Sequence, residues 1–371
     1  MRASTNAPSD DVQPALEAPR PGQLLESPHG IARLLGGLKL DRYSGILMIL
    51  VFIVAYSIWL PDIFPTTSTV QTVLSSQAVA GLVALAVLFP LAAGAFDLSV
   101  AQNVTFSSLV CAVLMTRGPH FSPLLAIVIT IGVGGLIGVV NGWLVAHIGL
   151  NSFIATLGTT SLLTAGASIL GNGQYLGPFP ESFTDITSAT VLGIPITAIY
   201  LLVVAGFAWY VLEHSKAGRR TAATGLNPEA ARLAGINTRR ILFMQMVVCG
   251  ALTALAAVLL TSSINTSSES VGSAYLLPAY AAAFLGTTQI KPGRFNVWGT
   301  LIAIYLLGVG VTGLQLGGAN VWVTYAFNGV ALLAAVSIAA LAARRAASGR
   351  TRQRRRALRA AGDAARTPEA N

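Results

Sequence analysis

Catalysis needs a nucleophile beside a base, a bound metal needs three or four clustered donors, and nucleotide hydrolysis needs a glycine-rich loop with its lysine; this chain of 371 residues offers none of these arrangements. It has no G-x-x-x-x-G-K-[ST] loop, no H-E-x-x-H, no C-x-x-C pair and no G-x-S-x-G elbow. His29, His120, His147 and His214 are scattered among the N-terminal stretch and loop edges, so no metal site is expected. Cys111 and Cys249 lie singly inside apolar runs, where a thiol behaves as a small hydrophobe. The most informative acid is Asp97, in Gly94-Ala95-Phe96-Asp97-Leu98-Ser99-Val100. Its carboxylate is placed to cap the helix that follows, and a contact with substrate or partner is the alternative.

The elements that carry these residues belong in a membrane. Hydrophobic residues make up 54% of the chain against 10% charged, with a mean hydropathy of +0.68, whereas soluble domains carry about 25% charged residues. Apolar runs reach about 20 residues, the length of a helix that crosses about 30 Å of hydrocarbon. They are apolar on every side rather than alternating, which excludes a membrane barrel. The expected fold is all-α and polytopic, with ten spans at about 43–60, 70–91, 98–116, 122–146, 153–171, 195–213, 240–262, 273–288, 297–315 and 322–343. Residues 1–40, rich in Pro, Ser, Ala and charge, read as a disordered leader without the pattern of a cleavable signal. Residues 41–343 form the transmembrane domain and 344–371 a basic tail.

Charge orients the bundle. Arg33, Lys39 and Arg42 precede the first span, Lys216, Arg219, Arg220, Arg232, Arg239 and Arg240 follow the sixth, and Lys291 and Arg294 follow the eighth, all on one face. Asp62, Glu181, Asp185 and Glu269 mark the other face, where Arg117 is the exception. The positive-inside rule then puts both termini in the cytoplasm. Much of the net charge of +9 sits in the tail arginines from Arg344 to Arg366, an anchor against anionic lipid rather than a nucleic-acid surface.

Two connections stand out. Gly171 to Pro195 reads as an irregular outer loop that caps the bundle or meets an external partner. Glu213 to Arg240 contains Asn227-Pro228-Glu229-Ala230-Ala231-Arg232-Leu233-Ala234-Gly235, a short polar helix with Asn as cap, Pro in the first turn and Gly as stop. It is expected to lie along the cytoplasmic surface as a docking knob. The crowded glycines of the fourth run suit close helix packing. Pro90, Gly94, Pro278 and Gly286 suggest broken helices beside a polar cavity. Asn103, Thr105, Asn141, Thr156, Thr159, Thr160 and Gln245 are placed to line a passage or, equally, to bridge helices.

Several of these segments resemble the permease subunits of bacterial ABC importers for ribose, xylose, galactose and related sugars. Gly94 to Val100 is similar to that family's Gly-Gly-Ile-Asp-Leu-Ser-Val, with Asp97 and Ser99 retained. Val140-Asn141-Gly142 and Phe153 to Thr159 resemble its Asn-Gly and Phe-Ile-x-Thr-Leu-Gly-Thr segments. Gly218-Arg219-Arg220 through Ile236 resembles its cytoplasmic coupling segment, and Leu285 to Thr288 with Gly293-Arg294 resembles Leu-Gly-Gly-Thr and Gly-Gly-Arg-Gly. Departures fall at Ala95, Phe96, Ala101 and Gln289 to Pro292. The resemblance implies a non-catalytic permease in the inner membrane, paired with a second permease copy. It implies cytoplasmic ATPases carrying ATP and Mg, and an extracytoplasmic solute-binding protein. The coupling role would fall to Asn227, Pro228, Glu229, Ala230, Ala231, Arg232, Leu233 and Gly235, and the solute would be a monosaccharide or related polyol. An inverted repeat of five and five spans is implied too, although no internal sequence echo supports it. A self-sufficient carrier or channel is the competing reading, and a membrane-bound enzyme a third.

Overall fold

Helix follows helix because long apolar runs must satisfy their own backbone groups. A computed structural model of the chain describes residues 40–117, 121–338 and 340. In chain order these build α1 (Leu40–Trp59), α2 (Thr67–Ala92), α3 (Val100–Thr116) and α4 (Pro123–Trp143), which runs on through a π turn (Leu144–Ile148). Then come α5 (Ser152–Gly171), α6 (Glu181–Ser188), a small hairpin of β1 (Thr190–Val191) and β2 (Ile194–Pro195), and α7 (Ile196–Trp209) with its own π turn (Tyr210–His214). After them lie α8 (Lys216–Leu226), α9 (Pro228–Leu233), α10 (Thr238–Ile264), α11 (Leu276–Gly286), α12 (Val297–Leu316) and α13 (Val321–Ile338). The leader expected at 1–40 and the tail at 344–371 lie outside the described residues, except Leu40. From Asp41 on, the described residues belong to one compact unit.

Every expected span contains an apolar helix. Among the described residues seven are long and apolar enough to cross a membrane: α2, α4 with its π turn, α5, α7 with its π turn, α10, α12 and α13. α1, α3 and α11 are apolar but shorter. α2 is the centre. Its residues Ala78 to Leu91 are all buried, as expected of a helix that is hydrophobic all round, and α7, α10, α11 and α12 pack around it. The outward faces of α4, α5, α7 and α13 carry Leu136, Leu162, Leu202 and Leu333, all largely exposed, which suits contact with lipid.

Glycine sets the tightest contacts. A Cβ on Gly134 would lie 2.3 Å from Ala254 Cβ, one on Gly138 2.4 Å from Met246 O, and one on Gly250 2.3 Å from Gly134 O, so α4 and α10 meet backbone to backbone. Gly134, Gly138 and Gly142 recur every four residues on that face. Gly132 and Gly135 point elsewhere, with no atom closer than 4.0 Å. The same device holds α1 on α12: Tyr56 lies over Gly313, Trp59 over Gly317, and Tyr56 Oη donates to Gly310 O at 2.9 Å.

Two expectations need correction and one is extended. The outer connection is a folded cap rather than an irregular loop: Pro180 starts α6, and its Phe183 is fully buried among Leu109, Cys111, Ala112 and Val258. Leu176 pairs with Ser267 through both backbone bonds, and Gln71 Nε2 reaches Gly193 O at 3.0 Å. The inner connection holds two helices, because α8 precedes the expected short one. Pro278 does not break a helix; it sits in the first turn of α11, where its missing N–H costs nothing.

Candidate functional site

The turn from Ala93 to Ser99 joins α2 to α3 and is held almost entirely by side chains from other helices. Gly94 enters it with φ +86°, a left-handed conformation that favours glycine. Phe96 N donates to Ser152 Oγ at 3.1 Å and Leu98 N to Thr156 Oγ1 at 3.1 Å, both from the start of α5. Thr160 Oγ1 donates to Leu98 O at 3.3 Å. From α11, Tyr280 Oη accepts from Asp97 N at 3.1 Å and donates to Asp97 O at 2.9 Å. One phenol thus satisfies both backbone groups of Asp97.

Asp97 itself is buried. Its Oδ1 accepts from Ser99 N at 3.0 Å and Ser99 Oγ at 2.5 Å. The carboxylate therefore closes a local turn on Ser99, one residue ahead of α3, rather than capping the first N–H groups inside the helix as expected. Asn141 Nδ2, from α4, donates to Ser99 Oγ at 2.8 Å and approaches Asp97 Oδ1 at 3.4 Å. Thr159 Oγ1, from α5, donates to Asn141 Oδ1 at 2.7 Å. The Cys249 thiol of α10 also contacts the carboxylate. Side chains from four other helices, α4, α5, α10 and α11, converge on this turn, and each polar group finds a partner, as buried groups must.

The seven residues proposed for a passage divide accordingly. Asn141, Thr156, Thr159 and Thr160 belong to this network. Asn103 Nδ2 donates to Gly250 O at 3.3 Å and accepts from Ser107 Oγ at 2.9 Å. Thr105 Oγ1 accepts from Gly272 N at 3.1 Å. Gln245 Nε2 donates to Thr221 Oγ1 at 3.0 Å, tying α10 to α8, while its Oε1 is buried without a partner. All seven bridge elements in this conformation. Tyr280 was not singled out from the sequence, since a tyrosine within an apolar run carries no local sign of a partner 183 positions away.

Beneath the Asp97 turn lies the α8–α9 segment. Asn227 Oδ1 accepts from Glu229 N at 3.1 Å and Ala230 N at 3.0 Å, the expected cap. Gly235 follows the helix at φ +79°, with Gly235 N on Arg232 O and Ile236 N on Ala231 O. Ala231 is buried, whereas Leu226 and Leu233 are 75% and 92% exposed, so a firmly seated knob presents apolar tips outward. Lys291 forms an ion pair with Glu213 that links the α11–α12 connection to the root of this segment. Gln289 Oε1 accepts from Gly45 N at 2.9 Å, joining that connection to α1.

These contacts sort the connections into two ends. The Asp97 turn, α8–α9 and the α11–α12 connection share the basic end. At the other, Arg117 Nη1 donates to Leu170 O at 2.8 Å and its Nη2 to Gln174 Oε1 at 2.7 Å, and Glu269 accepts from Ser168 Oγ at 3.0 Å and Gly173 N at 2.7 Å. Arg117, the exception to the charge pattern, caps the last carbonyls of α5, where a cation suits the helix dipole.

Comparison with known proteins agrees with this architecture. The family model described as branched-chain amino acid transport system / permease component matches residues 69–336. Curated relatives include the autoinducer 2 import system permease protein LsrD of Yersinia enterocolitica serotype O:8, 30% identical over 262 residues, covering 69% of this chain and 78% of the relative. The protein of that name from Escherichia coli O9:H4 is 32% identical over 263 residues, covering 69% and 79%. No solved structure gives a significant match.

Proposed function

Because this chain belongs to the branched-chain amino acid transport system / permease component family, we propose that it is the membrane-spanning subunit of an ABC importer, moving a small uncharged solute inward on energy from ATP hydrolysed by partner subunits. The observation that carries this reading is the α8–α9 segment, a capped knob with exposed Leu226 and Leu233, seated on a chain without a phosphate-binding loop. Asn227 to Gly235 would dock on a cytoplasmic ATPase loaded with ATP and Mg. A second permease copy would complete the pathway, and an extracytoplasmic binding protein would deliver the solute. Asn103, Thr105 and Gln245, with the polar residues around Asp97, would line the route once the helices part. A monosaccharide or related polyol suits the neutral hydroxyl and amide groups available. Autoinducer 2, for which the relatives are named, belongs in the same test panel. Both termini would face the cytoplasm.

The fully buried carboxylate of Asp97 favours one second reading, an ion-coupled carrier, since such carriers hold an ionisable group inside the bundle. Reconstitution decides between them. Vesicles containing the complete complex with its ATPases facing the lumen should accumulate labelled solute, delivered by the binding protein outside, only when MgATP is enclosed, and Glu229→Lys or Gly235→Trp should abolish uptake while leaving the protein in the membrane. Concentrative uptake by vesicles holding this chain alone would establish the carrier instead.

A further inference from the structure

The coupling segment does more than sit near the Asp97 turn. Gly225, at the end of α8, meets Gly94 and Ala92 main chain against main chain. A Cβ on Gly225 would lie 2.2 Å from Ala92 O, and one on Gly94 3.3 Å from Gly225 Cα. Any side chain at Gly225 must therefore displace one backbone from the other, because no rotamer moves a Cβ. α8 has no slack at its other end either, since a Cβ on Gly218 would fall 2.0 Å from Leu212 O. Main-chain contact of this kind transmits displacement with little compression, whereas long side chains absorb it by changing rotamer.

Immediately beyond Gly94, the turn hangs from Ser152, Thr156 and Tyr280, and Asp97 holds Ser99 and Asn141. Moving the turn must break bonds to α4, α5 and α11 together. Hydrogen bonds between side chains and a displaced turn are directional, so the change is a switch between bonded and unbonded sets rather than a gradual stretch.

We infer that Gly225 and Tyr280 are positioning residues for transport: Gly225 passes movement of the coupling segment to the Asp97 turn by backbone contact, and the Tyr280 hydroxyl latches that turn in the conformation seen here. The inference rests on the importer reading, and it supplies its own reporter. Cys249 is buried, touches Asp97, and is one of only two cysteines in the chain, so Cys111→Ala leaves it alone.

In that background, the purified complex of this chain with its ATPase is treated with N-ethylmaleimide, with and without MgATP, and modification of Cys249 is followed by peptide mass spectrometry. MgATP should accelerate labelling about tenfold, the size of a typical coupling between sites. Gly225→Ala should erase that acceleration in complexes that still assemble and hydrolyse ATP. Tyr280→Phe, which keeps the ring and loses the hydroxyl, should raise labelling in the absence of nucleotide. Should Gly225→Ala fail to assemble, the Tyr280→Phe result decides. Equal labelling with and without MgATP in an actively hydrolysing complex without the Gly225 or Tyr280 substitution overturns the inference, as does a Tyr280→Phe complex that labels at the rate of its parent. A chain that binds no ATPase at all refutes the importer reading instead, and that is seen at purification, before any label is added.

Discussion

Asn141 shows how much a single side chain organises. Its amide joins Asp97 and Ser99 on one side to Thr159 on the other, and replacing it with Leu takes one hydrogen bond from each of these three polar partners in the interior. Interhelical hydrogen bonds in membranes average only about 0.6 kcal/mol, but a buried group left unpaired costs about 1–3 kcal/mol. The first figure should govern here, because Asp97 and Ser99 keep each other and Thr159 keeps Ala155 O at 3.1 Å, and over three lost bonds it comes to about 2 kcal/mol. Asn141→Leu should therefore lower the apparent Tm of the detergent-solubilised protein by several degrees, measured by dye or tryptophan fluorescence. An unchanged Tm would mean that the network is not holding these helices together. That Asp97 accepts hydrogen bonds at the start of α3 was legible from its place before the helix, although the donor is Ser99 rather than the N–H groups inside the helix. The role of Tyr280 was not, since nothing local marks a residue whose partner arrives from a distant helix.

At the scale of elements, hydropathy located every apolar helix because a membrane demands length and greasiness and little else. The capped α9 was legible for a different reason: Asn, Pro and Gly act through their own backbone. α6 and α8 escaped notice because short amphipathic helices outside the spans are held by tertiary contact, such as Phe183 in its apolar pocket and Thr221 on Gln245. Nor could composition say which of the crowded α4 glycines matter. Gly138→Leu should cost at least the upper end of the about 1–3 kcal/mol typical of overpacking, since its Cβ would collide with a main-chain oxygen. Gly132→Ala meets open space and should be neutral or gain up to about 1 kcal/mol of helix propensity. Comparing the yield of folded protein for the two variants by size-exclusion chromatography checks this, and equal loss in both would refute the α4–α10 contact.

For the whole molecule, the two ends differ in charge and in what they present. Leu233 projects from the basic end, and Leu192, 98% exposed at the tip of the β1–β2 hairpin, from the other. In a Cys111→Ala, Cys249→Ala background, Leu192→Cys should react with a membrane-impermeant maleimide in intact cells. Leu233→Cys should react only after the membrane is opened. Labelling of Leu233→Cys in intact cells would invert the topology and remove the ATPase-docking role of α9 with it.

The seat of α1 on α12 has a consequence for the order in which the chain can be built. Tyr56 and Trp59 leave the ribosome more than 250 residues before Gly310, Gly313 and Gly317, the glycines that receive them. During that interval α1 must wait in lipid with its aromatic ridge unoccupied, and nascent chains ending before Val297 should leave Tyr56 open to photo-crosslinking with lipid or insertion factors. Seating of α1 is then a late event of assembly, possible only once α12 has followed it into the bilayer.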